Sequence, residues 1–414
     1  MNRYSLTEIW RNGLQNWGRL SAYNFKLGAA VLKAQSNFLI PPAKSIWDAS
    51  AAHMDAQADI IKQTFEKRSG APPFAVPNAT EQQITDKSFY SLKSFKRGNS
   101  EKPKMLIVAP MSGHYASILR DTIDGMLDNH DVTIVDWKNP RDIPKSAGVF
   151  SFETYLESLV DIMQVMGPDT HAMGISQSTV PLLAITAWLS KHDPKLAPGT
   201  LTLIGGPIDT RASKSKIHDF ARRAPLDKLK RDVVDAVPGS YKGAGRAVYP
   251  GYTQLMALMA QGFDKHRDRL GQLYAAQISN DEITKNELKS FYNDYYAVMD
   301  LDAAFFLDTL KHVYQDHSLA NGTMTFRGEK IDLSAIKKTA LLTIEGAKDS
   351  VSPPGETHTA QGLCSNVKRR QKYTHPEFGH YGIAMGEKFK NEISPVVVKF
   401  LKTPRKNRPQ FRKI

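Results

Sequence analysis

Three residues of suitable type stand in a suitable order for ester chemistry: Ser176, Asp349 and His380. A serine hydroxyl is a weak nucleophile until a base takes its proton, and a histidine base works best when an acid fixes its tautomer and stabilises its charged form. Ser176 lies in Gly174-Ile175-Ser176-Gln177-Ser178, between a strand-like run, Thr170 to Ile175, and a helical run, Thr179 to Leu189. A serine on a sharp strand-to-helix turn is exposed above a sheet, and the turn admits only small residues two places away on either side. Gly174 and Ser178 satisfy that condition. Taken alone, the string also suits a serine capping the next helix. A second Gly-x-Ser, Gly98 to Ser100, sits in a polar stretch with Lys102 at the second small position and reads as a loop.

The partners supply the context. In the α/β-hydrolase arrangement the chain order is serine, acid, histidine. The apolar run Ala340 to Glu345 leads into Gly346-Ala347-Lys348-Asp349, which places Asp349 in the loop after a late strand. Three histidines follow: His358 in an expected helix, His375 closing a strand before Pro376, and His380 in the loop Phe378-Gly379-His380-Tyr381-Gly382. The flanking glycines let that loop approach a site closely, so His380 is the expected base. An oxyanion needs donors from the residue after the nucleophile and from the loop after an early strand. Gln177 supplies the first through its backbone amide, and Met111 or Ser112 the second. His114, in the same loop, either lines the pocket or is structural.

Elements that could position these groups are visible as texture. From Met105 onward, strand candidates (Met105 to Ala109, Val132 to Asp136, His171 to Ile175, Leu201 to Ile204, Ala340 to Glu345, Arg370 to Thr374) alternate with helical stretches. That pattern predicts an α/β-hydrolase fold, a mainly parallel sheet with helices on both faces. Between the fourth and fifth strands runs a long, aromatic-rich, helical segment, expected as a large cap above the strand ends. Its aromatics are core or substrate contacts, Tyr249 and Tyr252 being candidates for the latter. The expected organisation is a helical region at 1–100, a first core part at 101–210, the cap at 211–335, a second core part at 336–402 and a basic tail at 403–414. In the first region Ile9, Leu14, Trp17, Phe25, Leu32 and Phe38 fall at helical spacing.

Composition sets the outer bounds. Hydrophobic residues at 41% and charged ones at 23% suit a globular protein, and no run is apolar enough to cross a bilayer. The start has no basic-then-apolar leader, and Cys364 is the only cysteine, expected in the core, so the chain reads as cytoplasmic. A net charge of +13 attracts acidic partners, but the basic residues are dispersed and no nucleic-acid-binding motif is found. The densest basic run, Lys402 to Ile414, is a solvated tail or a docking element. No Gly-rich phosphate loop or His/Cys cluster points to a cofactor or metal, and none is expected.

With these residues identified, the chain from about Lys104 to Leu401 resembles the intracellular polyhydroxyalkanoate (polyhydroxybutyrate) depolymerases. The carriers are Ala109-Pro110-Met111-Ser112-Gly113-His114, Val135-Asp136-Trp137, Met166-Gly167-Pro168-Asp169-Thr170-His171, Gly205-Gly206-Pro207-Ile208-Asp209-Thr210-Arg211 and Val248-Tyr249-Pro250-Gly251. Further on come Ala297-Val298-Met299-Asp300-Leu301, Met324-Thr325-Phe326-Arg327-Gly328, Ala340 to Gly346 and Gly379-His380-Tyr381-Gly382. The resemblance implies a nucleophile at Ser176, an acid at Asp349 and a base at His380. It implies hydrolysis of a storage polyester to 3-hydroxyacids or oligomers, and association with storage granules. Many members carry cysteine in a Cys-Gln-Pro string where this chain has Ser176-Gln177-Ser178. Related polyester synthases hold the growing chain on a cysteine, so serine argues against synthesis. Two other functions stay open: an esterase acting on soluble oligomers or small esters, and a non-catalytic granule-binding protein.

Overall fold

The computed structural model describes residues 3–37, 43–65, 70–261 and 263–402. Phe38 and the tail from 403 lie outside them. Among the described residues the main sheet has eight strands: β1 (Thr80–Asp86), β2 (Tyr90–Lys96), β3 (Lys104–Val108), β4 (Asp131–Trp137), β5 (His171–Ile175), β6 (Thr200–Ile204), β7 (Ala340–Gly346) and β8 (Arg370–His375). Their spatial order is β1-β2-β4-β3-β5-β6-β7-β8. Only β2 runs against its neighbours; every other pairing in the sheet is parallel. The centre is apolar because it is covered on both sides. Leu106, Ile107, Val108, Met173, Ile175, Leu203, Ile204, Leu342 and Ile344 are buried, as the near-continuous hydrophobic runs of parallel strands require.

All six strands expected from the sequence are present. The expected helical region at 1–100 needs correction, because β1 and β2 belong to the sheet. Among the described residues of that region, α1 (Arg3–Ser36) and α2 (Ala43–Phe65) are the helical ones. The strand β1 is an edge with mostly exposed residues, Thr-Glu-Gln-Gln-Ile-Thr-Asp, so it shows little of the hydrophobic alternation that marks a strand.

Helices surround the sheet. Residues between Ile204 and Ala340 form the insertion, mostly helical, with two short antiparallel ladders: Asp235–Ala236 with Ala247–Tyr249 and Leu301–Asp302, and Thr325–Phe326 with Glu329–Lys330. Its helix Glu282–Tyr296 brings Tyr292, Tyr295 and Tyr296 into a cluster with Leu255 and Val298. A bridge between His114 and Val298, and the Met299 amide donating to the Gly113 carbonyl at 2.7 Å, tie this insertion to the loop after β3. Tyr381, next to His380, packs edge-on against Phe291 and Tyr295. The insertion is thereby fixed against the loop after β3 and the short helix His380–Ala384 after β8, both at the strands' carboxyl ends, where open α/β sheets bind their ligands.

Candidate active site

Ser176 follows the last residue of β5 and precedes the helix Thr179–His192. Its φ is +56°, a left-handed conformation that a non-glycine residue adopts only when its surroundings enforce it. Neighbouring side chains do the enforcing. The buried Ser178 hydroxyl accepts from the Ile175 amide at 2.9 Å and lies 2.7 Å from the Val108 carbonyl, stitching the end of β5 to the end of β3. The Thr179 hydroxyl donates to the Ser176 carbonyl at 2.8 Å. A Cβ on Gly174 would lie 3.1 Å from Leu182 and 3.2 Å from Thr179, so the small residues two places away serve close packing.

The structure brings Ser176, His380 and Asp349 together. Ser176 Oγ is 3.0 Å from His380 Nε2, and His380 Nδ1 is 2.8 Å from Asp349 Oδ2. Asp349 is buried, and its other oxygen accepts from the amides of Val351 at 2.8 Å and Ser352 at 2.9 Å. Those two donors stabilise the carboxylate and fix which oxygen faces the histidine. The remaining late histidines are spent elsewhere: His358 bridges Thr343 and Thr374, and His375 pairs with Glu392. This arrangement can deprotonate the serine hydroxyl, hold the imidazolium and return the proton to a leaving group.

Sequence reasoning did not assign the floor of this site. Gly205 and Gly206 follow β6, and a Cβ on Gly205, whose φ is +56°, would lie 3.4 Å from His380 Nδ1 and 3.5 Å from Asp349 Oδ2. A Cβ on Gly206 would overlap Thr179 at 1.8 Å. The pair was visible as a Gly-Gly string, but only the fold shows what presses on it.

The Met111 amide donates to the Gln177 side-chain oxygen at 3.1 Å, so this donor is covered until that carboxamide moves. Gln177 Nε2 is buried without a hydrogen-bond partner among the described residues. Ser112 is partly exposed in the same loop, and Gln177 sits at the amino end of the helix run, where backbone N–H groups lack intrahelical acceptors.

The candidate substrate contacts divide. Tyr249 packs on Phe306, and Tyr252 lies against Trp10 and under the Arg11 guanidinium. Among the described residues, these ring contacts are with packing partners rather than with Ser176, His380 or Asp349, because both tyrosines face the core and α1. His114 is buried, packs tilted against Tyr295 at 5.0 Å and leaves Nε2 without a hydrogen-bond partner among the described residues. Burial pushes its pKa down to about 4, against a weaker opposing hydrogen bond to the Tyr295 backbone. Burial does the same for His130 and His266, also to about 4. Cys364 is buried, and burial pushes its thiol up to about 12.

These histidines make the fold acid-sensitive. Between their ordinary pKa of 6.5 and about 4 the unfolded chain takes up protons that the native state refuses. Unfolding therefore binds protons in that window, and stability is lost as pH falls through it and retained above it. The melting temperature should drop steadily from pH 6.5 towards 4, and His114→Gln should make the slope shallower. An unchanged slope would mean that His114 titrates normally in the folded protein.

The strand order, the reversed second strand and a serine on a left-handed turn after the central β5 define an α/β-hydrolase-fold protein. Comparison with known proteins narrows the setting. Residues 205–404 match the family described as "PHB de-polymerase C-terminus". That segment contains Asp349 and His380 but begins after Ser176. The chain is 23% identical over 311 residues to the poly(3-hydroxyalkanoate) polymerase subunit PhaC of Allochromatium vinosum, covering 72% of this chain and 80% of that protein. Similar solved structures include a Bacillus megaterium epoxide hydrolase (TM-score 0.48, 14% identity, 78% of this chain and 100% of that one) and a Bacillus anthracis bromoperoxidase (0.46, 11%, 78% and 100%). Among the described residues, no helix is long and apolar enough to cross a membrane, and no cluster of three or more His, Cys, Asp or Glu suits a metal ion.

Proposed function

We propose that this protein hydrolyses the ester bonds of intracellular polyhydroxyalkanoate, releasing 3-hydroxyacids or short oligomers through an acyl-enzyme on Ser176. The observation that carries this reading is the relay from Ser176 Oγ through His380 to Asp349, at 3.0 and 2.8 Å. The family match over residues 205–404 and the similarity to a polyhydroxyalkanoate polymerase subunit support the polymer as substrate.

In the proposed reaction Ser176 Oγ attacks the ester carbonyl as His380 Nε2 takes its proton. The tetrahedral oxyanion is held by the Gln177 amide and by that of Met111 or Ser112. His380 returns the proton to the departing hydroxyl end of the chain, leaving an acyl-serine. Water, deprotonated by His380, then attacks the same carbonyl; the bond from Ser176 Oγ to the acyl carbon breaks, His380 returns the proton to Oγ, and the acid is released. Asp349 orients the imidazole through Nδ1 and stabilises the imidazolium. Serine favours hydrolysis over polymer growth. A cysteine thioester conserves the driving force for transfer to another hydroxyl, whereas an oxygen ester is more readily lost to water.

For the Met111 amide to serve, the Gln177 carboxamide must leave it. Gln177→Ala removes that competitor while keeping both backbone donors, so kcat/KM on a short ester should rise by up to about tenfold, the net worth of one neutral hydrogen bond. A fall on the order of a hundredfold would instead make the side chain itself an oxyanion donor.

The function is tested on native amorphous polyhydroxybutyrate granules incubated with wild type and with Ser176→Ala, the products being resolved by chromatography. Release of 3-hydroxyacids by wild type alone is the expected result, and equal release by both ends the proposal. Hydrolysis of a short p-nitrophenyl ester with granules untouched would leave an esterase of soluble substrates.

A further inference from the structure

The long helix α1 is built inside out. Its buried residues are mostly small: Gly18, Ala22, Ala29 and Ser36, with Tyr4 at the start. They let α1 lie close to α2, where Ala51, Ala56 and Ala58 are buried. A Cβ on Gly28 would come within 2.4 Å of Met54. The large apolar side chains point the other way. Leu6, Trp10, Trp17, Leu20, Leu27 and Val31 are each between 47% and 60% exposed, with Ile9 and Tyr23 beside them, and Trp10 also meets Tyr252 edge-on with one side of its ring. Contiguous exposed apolar surface of this kind marks a binding face.

The spacing identifies the partner. Positions 6, 10, 13, 17, 20, 24, 27 and 31 alternate in steps of four and three, and all eight are exposed. That is a heptad seam, with Leu6, Gly13, Leu20 and Leu27 at one core position and Trp10, Trp17, Asn24 and Val31 at the other. Leucine at three of four d sites and a single asparagine at an a site are features of a helix that pairs with its own kind. Gly13 leaves a notch between the two tryptophans, with no atom within 4 Å of where a Cβ would stand, and an indole from a facing helix fits there. The seam runs about 38 Å, from Leu6 to Val31.

We propose that α1 is a dimerisation helix, its seam covered by α1 of a second copy of this chain. A lipid surface fits less well. Interfacial helices carry a row of basic residues along the margin of the apolar face to meet anionic headgroups, whereas here Lys26 and Lys33 pair with Asp59 and Asp55 of α2 and Arg11 pairs with Glu8, so that Arg19 alone does not make such a row. Asn24 would also sink a carboxamide into acyl chains, while in a parallel pair it meets the Asn24 of the second copy. The helix is anchored for this purpose. The Tyr4 hydroxyl donates to Asp300 at 2.8 Å, and Arg3 donates to the carbonyls of Arg231, Asp232 and Val234. Nothing in this proposal depends on the catalytic reading.

Sedimentation velocity on the full chain at micromolar concentration tests it. Wild type should sediment at twice 46.2 kDa, and Leu20→Asp/Leu27→Asp should be monomeric, its dissociation constant raised at least about a hundredfold. Both side chains are exposed in a single chain, so circular dichroism and the melting temperature should be retained. Leu27→Ser, a milder change, should weaken the dimer in the same direction. A wild type that stays monomeric, a dimer that survives the double substitution, or a monomer that floats with phospholipid vesicles through these same residues would each overturn the proposal.

Discussion

Ser176→Ala should lower kcat for ester hydrolysis by roughly 10⁴-fold or more. The expected loss is large because the substitution removes the atom that forms the acyl bond while leaving the rest of the site in place. Alanine keeps the Cβ, and the turn is held by groups the substitution does not touch: the Ser178 hydroxyl between β5 and β3, and the Thr179 hydroxyl on the backbone carbonyl of residue 176. Melting temperature should therefore change little, which separates a chemical defect from a folding one. The residual rate reports the oxyanion donors acting on water-mediated hydrolysis. A fluorophosphonate probe should label wild type at Ser176 and leave the variant unlabelled. A variant that hydrolyses a short ester within tenfold of wild type would remove Ser176 from the mechanism.

The three residues of this site were legible because each sits at punctuation the chain cannot hide. Ser176 lies where an apolar strand run meets a helical run, Asp349 just past the end of β7, and His380 between two glycines. Their geometry was not legible, since it depends on long-range register between β5, β7 and the loop after β8. Other features were not legible, for identifiable physical reasons. β1 is a polar edge strand with little apolar alternation, so nothing in its sequence sets it apart from the helical region before it. A glutamine after the nucleophile announces a backbone donor, but nothing local says that its side chain will lie on the Met111 amide. Tyr249 and Tyr252 had the right chemistry for gripping an apolar substrate, yet hydrophobic spacing does not say which neighbour a ring will meet. The same ambiguity governs α1. Ile9 and Trp17 belong to an amphipathic helix whose periodicity is real, but small residues pack inward there and these two face out.

Asp349→Asn should cost roughly 10³- to 10⁴-fold in kcat near neutral pH with only a modest loss of stability. The reason lies in how the carboxylate is held. Asp349 Oδ1 faces two backbone donors, the amides of Val351 and Ser352, at 2.8 and 2.9 Å, and only an acceptor satisfies that position. An asparagine would place its carbonyl oxygen there and turn its NH₂ towards His380 Nδ1. That nitrogen would then have to accept, which moves the imidazole proton to Nε2, the atom 3.0 Å from Ser176 Oγ. A protonated Nε2 cannot take the serine proton, so the base is disabled while every heavy atom stays near its place. The rotated alternative, with NH₂ against the two amides, buries three donors with no acceptor among them and is the costlier arrangement. Steady-state rates on a short ester, read beside the melting temperature, decide the matter. A loss below tenfold with an intact fold would make Asp349 a structural anchor of its loop rather than the partner of His380.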